Sequence, residues 1–162
     1  MIEYPKYKKV LFCTDFSENA DYAFNFAYGI ARRDKGLLYI LHVTPPYPYQ
    51  MYSYIPLSSY ITREDLEKMD NGIAEYLDDN YAKHYVKHMK DGVKFEIITK
   101  SGREDDEILT FAKQEQVDII VMGTHGVTGV EHVFFGSVAE KVLRHSPVPM
   151  LVIPCKKKRE RA

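Results

Sequence analysis

The side chains and backbone with most capacity for chemistry fall in one late stretch, Gly123-Thr-His-Gly-Val-Thr-Gly-Val-Glu-His-Val-Phe-Phe-Gly-Ser137. Glycines at 123, 126, 129 and 136 carry no Cβ, so the backbone can turn tightly and approach a bound molecule. A helix beginning at Gly136-Ser137 would offer unpaired amides, the positive end of its dipole and the Ser137 hydroxyl, a combination suited to phosphate. His125 and His132 supply the stretch's acid–base range near neutrality. The plainer alternative is a surface loop shaped by glycine, with Gly136-Ser137 capping the helix that follows.

The elements needed to hold such a loop flank it. Val117 to Met122 is an apolar run interrupted only by Asp118, and Val138, Ala139, Val142 and Leu143 recur at the spacing of one helix face, so the order reads strand, loop, helix. Two familiar phosphate loops are excluded. A Walker loop needs Lys-Ser or Lys-Thr after its last glycine, and the dinucleotide fingerprint needs G-x-G-x-x-G after an early strand. Here the loop is late and reads G-x-x-G, nine residues, then G-S.

Length and composition narrow the class. At 162 residues the chain suits one domain, with an irregular segment at 44–61 and a basic tail at 156–162. Hydrophobic residues at 45% and charged ones at 28% are ordinary for a soluble protein. No apolar run approaches the ~20 residues of a membrane span, and the first residues lack a signal-peptide core, which points to the cytoplasm. A formal charge of −1 argues against a dedicated nucleic-acid binder. Cys13 and Cys155 do not form a disulfide framework or a metal knuckle; Cys13 reads as a small core residue.

Along the chain, Lys9 to Cys13 is a short strand ending at Thr14-Asp15-Phe16-Ser17, with Ser17 placed to cap a helix whose face is Ala20, Ala23, Phe24, Ala27, Ile30 and Ala31. Leu37 to Val43 is a second, almost wholly apolar strand, and such runs alternating with helices argue a parallel sheet covered on both sides. Four prolines and five tyrosines crowd the segment from Thr44 to Ile61, which suits either a flap or partner surface, or a cover for the domain's own core. Thr62-Arg-Glu-Asp65 resembles a capping box opening a long amphipathic helix that runs to about Lys90, with His84 and His88 on its solvated face. Val93 to Thr99 alternates as an edge strand with one wet side. Glu104, Asp105, Asp106 and Glu107 then fall in the first turn of a helix, where negative charge suits the dipole. Met150 to Ile153 is a final bare strand bracketed by prolines.

In the G-x-x-G-x(9)-G-S spacing, the Thr14-Asp15-Phe16-Ser17 turn and the His42-Val43 pair, the chain resembles the universal stress protein family, in its ATP-binding branch. The resemblance implies an α/β fold in which a five-stranded parallel sheet of order 3-2-1-4-5 carries helices on both faces. It implies ATP, or ADP or AMP, at the switch point between the first and fourth strands, accompanied by Mg2+ or Mn2+. Asp15 would approach the ribose and the backbone of Val43 the adenine edge, with Cys13, Thr14 and Met122 beside the base. Gly123, His125, Gly126, Gly136, Ser137 and Val138 would hold ribose and phosphates. Asp15 reads equally as a helix-capping residue, and His42 as a strand residue. The family's homodimer contact would run through Val148, Pro149, Met150, Leu151, Val152 and Ile153. Three departures stand out: Val127 where ATP-binding relatives often carry Arg, Lys or Ser, Cys13 in place of a common Pro, and Ser101-Gly102-Arg103 in place of a Gly-x-Pro turn. The function implied is a regulatory, stress-linked nucleotide-binding module with at most slow ATP hydrolysis. Two alternatives remain: phosphoryl transfer using His125 or His132, and a nucleotide-free interaction module working through the tyrosine-rich segment.

Overall fold

In the first strand every side chain from Val10 to Cys13 is buried, and alternate residues enter opposite faces of the sheet. That two-sided burial is what a strand central to a parallel sheet requires. The computed structural model describes residues 4–44, 63–89, 92–124 and 136–155. Within them the elements are β1 (Lys9–Thr14), α1 (Glu18–Asp34), β2 (Leu37–Thr44), α2 (Arg63–His84), β3 (Lys94–Ser101), α3 (Glu104–Gln114), β4 (Ile119–Gly123), α4 (Ser137–His145) and β5 (Met150–Ile153). The expectations for His125, Gly126, Val127 and His132, for the tyrosine-rich segment past Thr44 and for the basic tail lie outside the described residues.

The sheet is parallel, in the order β3-β2-β1-β4-β5. Chain direction across it reverses between β1 and β4, and in such sheets ligands bind at the carboxyl ends of the strands flanking that point. One face buries Val10, Phe12, Leu38 and Ile40 under α1 and the far half of α2. The other buries Leu11, Cys13, Leu41, Val43 and Met122 under α3 and α4. Each large side chain so enclosed contributes about 1.5–3 kcal/mol relative to exposure.

Ser17 caps α1 as expected, its Oγ accepting from the Ala20 amide at 3.2 Å. Three local expectations are corrected. The long helix stops at His84 instead of continuing to Lys90, and a single 3-10 turn follows at Val86–His88. Tyr85, between the helix and that turn, still donates its amide to the Tyr81 carbonyl at 3.0 Å, and its fully buried ring packs against Phe12 and Phe24. His84 is not on a solvated face: its Nδ1 lies 2.9 Å from both carboxylate oxygens of Asp21, joining the end of α2 to α1. In β3, finally, exposure is not confined to one side, since Lys94 through Ile97 are all exposed at this edge of the sheet.

Candidate functional site

The turn after β1 is built to hold Asp15 in place. Phe16 adopts φ of 61°, a left-handed conformation rare for a bulky residue, and it persists where surrounding contacts impose it. Its amide donates to Thr14 Oγ1 at 2.9 Å, and its ring packs against His42, Tyr81, His84 and Tyr85. Thr14 Oγ1 is also hydrogen-bonded to the buried Tyr85 hydroxyl, whose titration burial pushes upward. The Thr14 carbonyl can only accept, so His42 donates to it from Nδ1, at 2.8 Å. Asp15 Oδ1 in turn accepts from the Ser17 amide at 3.1 Å. The capping role weighed for Asp15 is therefore real, and its side chain also reaches the cavity described next.

A second set of bonds fixes the ends of the glycine loop. Gly123 closes β4 against α1, and a Cβ there would meet Asn19 Oδ1 at 2.7 Å. The absent side chain thus serves helix packing, and Gly123 also lines the cavity described below. Asn19 is buried, and its Nδ2 donates to the Ile153 carbonyl at 3.2 Å, beside the Thr124 amide at 2.9 Å. The Gly136 amide donates to the Thr124 carbonyl at 2.6 Å, drawing the two ends of the loop together. That bond corrects one expectation: Gly136 lies at the site, but its N–H is already engaged and is not available to an anion.

The next three amides are available. Gly136 has no side chain with which to cap α4, and the first bond of the helix runs from the Glu140 amide to the Gly136 carbonyl. The amides of Ser137, Val138 and Ala139 consequently have no partner among the described residues, and they carry the positive end of the helix dipole.

These elements enclose a cavity of about 470 Å³, within the roughly 300–1,000 Å³ typical of small-molecule sites. Cys13 and Thr14 wall it from β1, Asp15 from the turn after it, Val43 from β2, Met122 and Gly123 from β4, and Gly136, Ser137 and Val138 from the start of α4. Nine of the eleven nucleotide-site residues expected from sequence are thus brought together, and His125 and Gly126 lie outside the described residues. The sequence reading missed Ala20, Leu41, Ile108, Thr124 and Ala139, and it set aside His42 and Glu104, all of which also line the wall. Helical spacing gave a clue for Ile108 and Ala139 as inward residues, while Glu104 carried no local signal beyond its place at a helix start.

The wall is chemically mixed. Leu41, Val43, Ile108 and Met122 contribute apolar surface, and Ser137 with the amides that have no partner among the described residues contributes donors. Burial pushes the Cys13 thiol well above its ordinary range, so it behaves as an uncharged surface. Among the described residues no lysine or arginine lines the cavity, and no group of three or more His, Cys, Asp or Glu side chains is arranged to hold a metal ion.

A doubly wound parallel sheet with a cavity at its switch point defines a Rossmann-like α/β protein. The chain belongs to the universal stress protein family, whose sequence pattern matches residues 6–154. A universal stress protein of Methanocaldococcus jannaschii is 31% identical to it over 91% of this chain and 94% of its own. The solved structure of that archaeal protein superimposes with a TM-score of 0.75 at 30% identity, covering 94% of this chain and 99% of its own. The universal stress protein UspA from Lactobacillus plantarum gives 0.71 at 25% identity over 93% and 99%. A universal stress protein solved in complex with cAMP shares the fold, with a TM-score of 0.58 at 21% identity over 92% and 98%.

Proposed function

We propose that this universal stress protein binds an adenine nucleotide, ATP or its di- or monophosphate, in the cavity at the switch point, and acts as a binding module rather than as an enzyme. The observation that carries the reading is the set of three amides at the start of α4 with no partner among the described residues, in a cavity also lined by Leu41, Val43, Ile108 and Met122. A nucleotide offers an anion to the former and a flat ring to the latter. Its base fits between Val43 and Met122, its ribose beside Asp15, and its phosphate against Ser137 and Val138. The universal stress protein solved with cAMP carries an adenine nucleotide on this same fold.

The triphosphate's charge calls for Mg2+ or Mn2+ carried in with the phosphates, because the described part of the cavity offers neither a basic side chain nor a metal cage. The binding-module reading follows from the family, and among the described wall residues no lysine or arginine stands as the cationic clamp that phosphoryl transfer uses. We place the protein in the cytoplasm; among the described residues no helix is long and apolar enough to cross a membrane. A two-fold dimer through Val148 to Ile153 follows from β5, which pairs with β4 on one side and leaves its outer edge unpaired among the described residues.

Calorimetric titration of the full chain with ATP, ADP and AMP, with and without magnesium, tests the reading. Saturable binding with about one nucleotide per chain is expected, and ATP turnover well below roughly 1 per second. Absence of heat with every adenine nucleotide overturns the binding function, and faster turnover overturns the module.

A further inference from the structure

The first turn of α3 carries four acidic residues, Glu104, Asp105, Asp106 and Glu107. Their proximity to the helix start explains the group but not the individual orientations. Asp105 is buried and receives Arg103 Nε at 3.1 Å, and Asp106 receives the same guanidinium at 2.8 Å. Glu104 takes no part in this pairing. It is half-buried, lines the cavity, and has no hydrogen bond or ion pair among the described residues. It also precedes Ile108 by one helical turn, so the two share a face, and Ile108 is a buried apolar residue of the same wall. A carboxylate with no partner among the described residues is thereby set one helical turn from an apolar wall residue, while the amides at the start of α4 belong to a different helix.

Resting on the nucleotide reading, we propose that Glu104 is a specificity-determining residue of this site: its carboxylate accepts from the amino group of the base and disfavours a base with a carbonyl there. An ionised carboxylate has acceptors only. Facing an amino group it gains a charge-assisted hydrogen bond, and facing a carbonyl it leaves two acceptors opposed. The pocket thus prefers amino purines to keto purines.

The test is calorimetric titration of the full chain with AMP and with IMP, in which a keto group replaces the amino group and the neighbouring ring nitrogen carries a proton. Wild type is expected to bind AMP about tenfold more tightly than IMP, the discrimination of one hydrogen bond to a charged group at a half-buried position. Glu104→Gln presents both a donor and an acceptor, so its ratio is expected to fall to within about twofold. Circular dichroism of the variant should match wild type, because the side chain makes no described bond. Binding of both nucleotides with the same ratio in wild type and variant overturns the role of Glu104 and leaves the nucleotide site standing. Absence of binding by wild type to either nucleotide overturns both.

Discussion

Replacing Ser137 by proline isolates the interaction on which ligand binding is argued to depend. Ser137 is the first residue of α4, a position where proline's missing N–H removes no helical hydrogen bond and its fixed φ suits the helix. The preceding residue, Gly136, already has φ of −68° and ψ of 153°, within the region that a following proline demands. Ser137→Pro should therefore fold normally, with stability unchanged or raised by up to about 1 kcal/mol through a stiffer unfolded chain. What it removes is one amide from the three that face the cavity. A hydrogen bond to a charged group contributes about 1.5–3 kcal/mol, and the lower end applies to a cavity open to water, so the affinity for ATP or AMP should drop about tenfold. Ser137→Ala removes only the hydroxyl and serves as the control, with a smaller loss. The assay is calorimetric titration paired with thermal melting. If Ser137→Pro binds as wild type does, or if Ser137→Ala loses as much, the free amide is not what holds the anion.

Other consequences follow from neighbouring contacts. Gly123→Ala places a Cβ 2.7 Å from Asn19 Oδ1, and urea unfolding should show a loss of about 1–3 kcal/mol, part of which Asn19→Ala restores; a loss under about 0.5 kcal/mol would contradict the packing account. Parallel pairing with β4 turns the Val152 amide toward the open edge, so Val152→Pro should convert a dimer into a folded monomer by sedimentation, whereas a persisting dimer would rule out this edge. Burial raises the Cys13 thiol far above its ordinary range while Cys155 is exposed, so at pH 8 a chromogenic disulfide reagent should modify Cys155 alone in the native protein and both after unfolding. Rapid native reaction at Cys13 would show the cavity wall to be looser than described.

The features legible in the sequence were those written in local pattern. Unbroken apolar runs such as Leu37 to Val43 mark strands buried on both sides, and Ser17 ahead of an alanine-rich face marks the start of α1. The ends of the glycine loop were legible for the same reason, because spacing between Gly123, Gly136 and Ser137 survives without knowledge of the fold. The strand order came from family resemblance, and the sheet has that order. What escaped depends on distant partners. Tyr85, just past the end of α2, packs against β1 and α1, and His84 pairs with Asp21, 63 residues earlier in the chain. Gly123 was read as a ligand-facing glycine, yet its constraint is Asn19 on another element. Glu104 looked like one of four equivalent helix-start carboxylates until Arg103 was seen to engage two of the others.

The central claim is that the amides opening α4 hold the anionic end of an adenine nucleotide. Amide nitrogen–proton correlation spectra of the labelled protein, recorded through a titration with AMP, test it most directly. The account predicts saturable shifts of the Ser137, Val138 and Ala139 amide resonances that follow the calorimetric binding curve, with the engaged Gly136 amide moving less. Binding that leaves those three resonances in place would contradict it.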